Sequence, residues 1–296
     1  MAQMTMFDSP ISLLPVVNVA SIPQRSPFRY PGGKTWLVPH VRRWLRSMSV
    51  RPGKLIEPFA GGGIISLTVA FEKLADSVLM VEMDDDVAAV WETILSANNK
   101  SLAEMIVHFQ MNTENVLNEL NVQPENRTKQ AFLTILRNRV SHGGIMANGS
   151  GLIKNGENGK GIGSRWYPRT LSRRIREIDL VADRIKFVQA DGLSEIQRFS
   201  GHHDIAFFVD PPYTAGGKKA GRRLYAHNEL DHERLFSILA SAKGDFLMTY
   251  DYSDEILALA GRHGFDVEAV AMTNTHHARM NELLVGRDLS WVRQDY

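Results

Sequence analysis

The chain contains no cysteine. That excludes disulfides, zinc–thiolate sites, iron–sulfur clusters and every mechanism built on a cysteine nucleophile. It also lacks any apolar run near the roughly 20 residues that a membrane-spanning helix needs. The apolar stretch from Ile11 to Ile22 is too short, is broken by Pro15 and has no basic flank before it, which makes it a poor secretion signal. A cytoplasmic protein with no membrane partner is expected. Net charge is almost absent too, at +1. What is present is ordinary globular material: 296 residues, 44% hydrophobic and 23% charged. That suffices for one large α/β domain, or one domain carrying an insertion.

The small net charge hides an uneven distribution. Between Arg127 and Arg176 eleven lysines and arginines face one acid, Glu157. This is an excess of +10 that leaves −9 for the rest. A second cluster, Lys218, Lys219, Arg222 and Arg223, contains no acid. Concentrated positive charge is the footprint of a polyanion partner; a solvated basic face would look the same.

Short apolar runs predict buried strands of a parallel sheet at Lys54–Phe59, Ser77–Glu82, Ile185–Gln189, Ile205–Val209, Asp245–Tyr250, Phe265–Val270 and Glu282–Val285. Helical patterns over Lys34–Met48, Ile64–Leu74, Asp84–Ala97, Asp231–Ala242 and Ser253–His263 lie among them. Alternation of this kind predicts a doubly wound, Rossmann-like α/β sheet. One gap breaks it. The stretch from Glu92 to Arg184 far exceeds the dozen or so residues of a crossover. It begins helically, over Leu102–Leu120 and Arg127–Arg139, and runs into eight glycines between Gly143 and Gly163. Three parts are expected: an N-terminal extension (1–25), a core (26–95 and 180–296) and a basic inserted subdomain (96–179).

Three motifs carry chemistry. Glu57-Pro58-Phe59-Ala60-Gly61-Gly62-Gly63 follows a predicted strand and precedes a helix, a turn where backbone N–H groups can approach a ligand. Glu82, about twenty residues on, ends the next strand, where a carboxylate can accept from both hydroxyls of a ribose. This pair fits NAD or S-adenosylmethionine equally. Arg29-Tyr30-Pro31-Gly32-Gly33-Lys34-Thr35 looks like a phosphate loop, but Phe28 occupies the first glycine position, so a nucleotide triphosphatase is not expected. Asp210-Pro211-Pro212-Tyr213 closes the fourth strand, where ligands of open α/β sheets bind. Two prolines fix a rigid turn with free carbonyls. Asp210 and the Pro211 carbonyl can accept two N–H bonds from a planar amine while Tyr213 stacks on its ring.

In order and spacing these motifs resemble the Dam-like amino-methyltransferases of DNA adenine, in the group whose target-recognition region is inserted in the core. The resemblance runs from Phe28 to Trp291. RYPGGK is similar to the family's first cofactor motif, EPFAGGG to its glycine motif, Glu82 to its ribose acid and DPPY to its catalytic motif. The family often has aspartate where Glu82 stands. The stretch Asn138–Gly144 matches better-studied members only loosely, so their sequence preference does not carry over. The resemblance implies S-adenosylmethionine as cofactor. Tyr30 and Lys34 would contact its methionine end, and the turn with Phe59, Gly61 and Gly63 its methionine and ribose. Glu82 would bind the ribose, Asp191 the adenine amine, and Asp210, bordering the cofactor, would hold the target base with Pro211, Pro212 and Tyr213.

The implied reaction is direct transfer to adenine N6 after the base is flipped out of the duplex. The absent cysteine agrees, because methylation at cytosine C5 needs a thiolate. Cytosine N4 and an RNA or protein amine remain alternative targets. An NAD oxidoreductase would leave DPPY without a task, and a silent DNA-binding protein would not need it. Recognition of double-stranded DNA is assigned to the insert, with Arg137, Asn138, Arg139, Lys154, Arg165 and Arg169 as candidates, joined by Lys218 and Arg222 from the loop after DPPY. A monomer or weak dimer is expected, and a cognate restriction or defence system is a partner open to such an enzyme. The pairs His202-His203 and His276-His277 have no accompanying carboxylate spacing and are taken as structural or DNA-facing, so no metal is expected.

Overall fold

The computed structural model describes residues 13–14, 18–28, 33–144, 151–156, 159–212, 230–273 and 279–293. Its strands are β1 Leu13–Leu14, β2 Lys54–Glu57, β3 Ser77–Glu82, β4 Ile185–Gln189, β5 Ile205–Val209, β6 Asp245–Asp251, β7 Asp266–Thr273 and β8 Arg279–Gly286. They form one sheet in the order β1-β7-β8-β6-β5-β2-β3-β4. Every pairing is parallel except those of β8, which runs against β6 and β7. The expected all-parallel set therefore fails at β8. The stretch between β7 and β8 is too short for a crossover, which needs about a dozen residues, so the chain can only double back. Leu13–Leu14, in the N-terminal extension, adds an edge strand beside β7.

Helices α1 Val38–Ser47, α2 Ile64–Glu72, α3 Asp85–Ile94, α4 Asn99–His108, α5 Thr113–Leu120, α6 Arg127–Val140, α7 Pro168–Ile178, α8 Gly192–Phe199, α9 His232–Ser241, α10 Asp254–Arg262 and α11 Ser290–Arg293 complete the fold. Strand side chains alternate between two cores. Leu55, Val78, Met80, Phe208, Leu247 and Leu284 pack with α1, α2 and α3. Ile56, Val81, Phe207, Val209, Met248 and Val285 pack with α8, α9 and α10. Period-two alternation with both faces apolar is what a sheet covered on both sides requires. This is a doubly wound, Rossmann-like α/β fold. The strand order reverses between β2 and β5, which makes the crevice at their carboxyl ends the site-forming position.

The insert continues the first core. Leu102, Ile106, Phe132, Leu136, Trp166, Leu171 and Ile175 join one apolar cluster with Val87, Val90 and Trp91 of α3. Phe109, Phe132 and Trp166 meet edge to face at centroid separations of 5.5, 5.8 and 6.5 Å. Such contacts add about 0.5–1.5 kcal/mol each beyond the area they bury. The single helix expected over 102–120 is two, because Asn112 leaves helical geometry and its side chain caps α5 through the Asn115 N–H at 2.7 Å. Helix α7 was not foreseen. Pro168 starts it, Leu171, Ile175 and Ile178 face inward, and its arginines face out or reach the backbone.

Candidate active site

The glycine turn between β2 and α2 is held at Gly61 through both its N–H and its carbonyl. Gly61 donates its N–H to Glu82 Oε2 at 2.9 Å, and its carbonyl accepts from Trp91 Nε1 at 2.8 Å. Gly61 and Gly63 have φ of 44° and 61°, the left-handed region that favours glycine. A Cβ at Gly63 would lie 2.6 Å from Met80 Cε and 2.7 Å from the Trp91 ring, so the position has no room for a side chain. Glu82 Oε1 also accepts from the Met83 and Asp84 N–H groups at 2.9 and 3.1 Å. Burial raises its pKa, and those N–H groups work against the rise. The β4 turn closes on the same spot. A Cβ on Gly192 would come within 2.4 Å of the Pro58 carbonyl and 2.8 Å of the Phe59 ring. Asp191 caps α8 through Oδ2, which accepts from the Ser194 N–H and hydroxyl at 2.9 and 2.6 Å.

On the other side of the switch point lies a charged cluster. Asp210 Oδ1 is 3.0 Å from Lys34 Nζ and accepts from Thr249 Oγ1 at 2.9 Å. Lys34 Nζ is also 3.5 Å from Glu282 Oε2. Lys34 and Glu282 are 3% and 6% exposed, whereas the Asp210 side chain keeps 22%. The lysine is therefore sealed in, and the aspartate faces the crevice. Burial pushes Glu282 up to about 7, with Lys34 opposing and the charges of Asp210 and Asp251 adding. Next to the cluster, Tyr250 exchanges a 2.9 Å hydrogen bond with His232 Nδ1. Burial first, then the Asp210 charge, keeps the phenol protonated.

Glu57 lies between the two halves. It is fully enclosed, accepts from the Ser66 N–H of α2 at 2.9 Å, and is pushed up to about 8 by burial, with the charges of Asp210 and Glu82 adding. A neutral carboxylic acid thus caps the helix that opens on the crevice.

The structure brings Lys34, Phe59, Gly61, Gly63, Glu82, Asp191, Asp210, Pro211 and Pro212 to the carboxyl edge of the sheet. Tyr30, Tyr213, Lys218, Arg222, His276 and His277 lie outside the described residues. Two DNA candidates are corrected. Asn138 is buried and donates to the Gly144 carbonyl at 2.9 Å. Arg139 is buried with its guanidinium on the Pro27 carbonyl. Both work inside the fold. The +10 window is also partly neutralised from outside. Arg127 pairs with Asp85 and Glu92 at 2.7 Å each, Lys129 with Glu119, and Arg137 with Asp86 at 3.2 Å. Arg165 reaches the Ser141 carbonyl at 3.5 Å, while Lys154 and Arg169 are exposed, as are His202 and His203.

Sequence reasoning missed Glu57, Thr249 and Glu282 as site groups. The available signal was a carboxylate inside an apolar strand, in KLIEPF and in ELLV, which burial obliges to find a partner.

The acids Glu82, Asp191 and Asp210 around a glycine turn suit a ligand that carries a positive charge, hydroxyls and amines. A family model described as D12 class N6 adenine-specific DNA methyltransferase matches residues 30–267. No match appears among curated protein sequences. Solved structures of similar shape include a Pyrococcus horikoshii protein provisionally described as an RNA methyltransferase, with 9% identity, 90% of this chain and 92% of that one covered, and a TM-score of 0.40. Spermidine synthase from Thermotoga maritima aligns with 12% identity over 87% of this chain and 59% of that one, with a TM-score of 0.41. Precorrin-6y C5,15-methyltransferase from Geobacter metallireducens aligns with 11% identity over 85% and 86%, with a TM-score of 0.33.

Proposed function

Because the chain belongs to the D12 class of N6 adenine-specific DNA methyltransferases, whose members methylate adenine in DNA with S-adenosylmethionine, we propose that it is a site-specific enzyme acting on double-stranded DNA in the cytoplasm. The observation that carries this reading is the position of Asp210. It ends β5 at the switch point, is followed by two prolines, and keeps part of its carboxylate toward the crevice while Lys34 and Thr249 hold Oδ1.

When bound, the cofactor supplies an electrophilic methyl group on a sulfonium. Glu82 and the glycine turn would hold its ribose, and Asp191 would accept from its adenine amine. Asp210 and the Pro211 carbonyl would accept the two N6 hydrogens of a flipped adenine. That draws the nitrogen lone pair out of ring conjugation and aims it at the methyl group. The contribution is orientation and electrostatics, which need no covalent intermediate. The flipped base leaves its pair at a cost of a few kcal/mol, offset by contacts in the pocket. Incubation with labelled S-adenosylmethionine and unmethylated plasmid DNA, then sequencing for modified bases, tests the reading. N6-methyladenine within one sequence motif supports it; methylation of cytosine N4, or of RNA alone, overturns it.

A further inference from the structure

Resting on that reading, we propose that Glu282 is a positioning residue for proton removal: through Lys34 it receives the proton that the target amine sheds after methyl transfer, and before transfer its charge balances the sulfonium.

The geometry is a line of three groups from three separate elements. Asp210 Oδ1 lies 3.0 Å from Lys34 Nζ, and Lys34 Nζ lies 3.5 Å from Glu282 Oε2. Glu282 comes from the antiparallel strand β8, outside every cofactor or catalytic motif of the sequence. In the fold it is the second counter-charge of buried Lys34, beside Asp210. Its register partner on β6 is another acid, Asp251, and on β7 it faces uncharged Val270. Like charges directly opposite each other destabilise a sheet, and a buried carboxylate is costly unless it is paired. Among the described residues the charges that bear on Glu282 are those of Lys34, Asp210 and Asp251, and burial pushes it up to about 7. It therefore exchanges a proton in the range where the enzyme works.

The proton balance closes on these residues. The N6 nitrogen gives its lone pair to the new N–C bond, and the C–S electron pair stays with sulfur. Nitrogen then carries one proton more than the neutral methylamine. That proton passes to Asp210; Lys34 gives one of its own protons to Glu282 and, left as an amine, takes up the proton from Asp210. Asp210 ends as a carboxylate, Lys34 as an ammonium and Glu282 as a neutral acid. The three groups carry −1 beside a cationic sulfonium before transfer, and zero beside a neutral thioether after it.

Calorimetry in two buffers of different ionisation enthalpy tests this without DNA. At pH 7 binding of S-adenosylmethionine should release about half a proton more than binding of S-adenosylhomocysteine. Glu282→Gln should abolish the difference, and Glu282→Asp should keep it. In single-turnover methylation of unmethylated plasmid DNA the wild type should be about tenfold faster at pH 8 than at pH 6. Glu282→Gln should be slower and flat across that range. Equal proton release for both ligands overturns the proposal, whether or not Glu282→Gln folds, because the wild type alone gives that result. Failure of either ligand to bind overturns the cofactor reading itself, which is a distinguishable outcome.

Discussion

Lys34 Nζ sits 3.0 Å from Asp210 Oδ1, so the lysine of the first motif is fixed on the carboxylate of the last. The resemblance placed Lys34 at the methionine end of the cofactor. In the structure it holds the group expected to grip the target amine. Only the lysine is sealed from water, which leaves the aspartate as the half of the pair that a substrate can reach.

Replacing Lys34 by Met should destabilise the fold in a pH-dependent way. It leaves Asp210 and Glu282 close together without the cation between them, and removing one partner of a buried ion pair costs about 3–5 kcal/mol. Lys34 now holds the Glu282 pKa down, so without it Glu282 keeps its proton to higher pH, which relieves its repulsion with Asp210 in acid. Denaturant unfolding should therefore show a larger loss at pH 8 than at pH 6. Equal losses at the two values would mean that Lys34 contributes packing alone.

Asp210→Ala should abolish methyl transfer while the fold survives. Loss of one preorganised polar group at a reacting centre typically costs about 100- to 1,000-fold in rate. Labelled methyl incorporation into DNA is the measurement. A variant within tenfold of wild type would remove Asp210 from the chemistry.

Glu82→Ala should weaken S-adenosylmethionine binding by about 1–3 kcal/mol, and Glu82→Gln by less. The alanine variant loses the ribose acceptor and frees the Gly61, Met83 and Asp84 N–H groups that the carboxylate now ties together. Glutamine keeps one oxygen for them. Calorimetric affinities that are equal for both variants and wild type would take Glu82 out of the site.

The legible parts of this molecule were those governed by local pattern. Leu55 and Ile56, or Phe207 and Phe208, reveal buried strands because both faces are apolar, and the glycine turn and DPPY fall at strand ends where the fold puts ligands. The illegible parts depend on partners distant in sequence. Nothing around Arg139 distinguishes a DNA-reading arginine from one held on the Pro27 carbonyl. Nothing within ELLV says that Glu282 faces Lys34. The antiparallel turn of β8 was readable from the short link before it, but an apolar strand carries no mark of its direction.

Glu57 predicts a stability profile. Its pKa stands at about 8 in the folded protein, against 4.5 ordinarily. Between those values the folded state holds a proton that the unfolded state has lost, so stability falls as pH rises through that window. The full effect is bounded at about 4–5 kcal/mol. Glu57→Gln keeps an acceptor for the Ser66 N–H and cannot ionise. Its stability relative to wild type should rise from pH 5 to about pH 8 and then level off in urea titrations. Parallel curves would mean that Glu57 ionises normally.

The salt dependence of DNA binding should separate the two kinds of arginine in the insert. Arg169, Arg173 and Arg176 recur at helical spacing on the exposed side of α7, opposite buried Leu171, Ile175 and Ile178. Among the described residues, Arg173 alone of the three pairs with an acid, Glu177 at 3.7 Å, and both side chains are more than half exposed, so that contact is weak. Each phosphate neutralised contributes about −0.9 to the slope of log K against log salt. Replacing all three by Gln should flatten the slope by about two to three units and leave S-adenosylmethionine affinity unchanged, because the glycine turn and Glu82 are on the core. Arg139→Ala should do the reverse. It removes a buried guanidinium from the Pro27 carbonyl, just before the first motif, and leaves that acceptor unpaired at a cost of about 1–3 kcal/mol. Thermal stability and cofactor affinity should fall while the salt slope holds. If the triple variant binds DNA with an unchanged slope, the exposed side of α7 is not the phosphate-facing surface. The polyanion contact would then have to be sought around Lys154 and Lys160, two further exposed lysines of the insert.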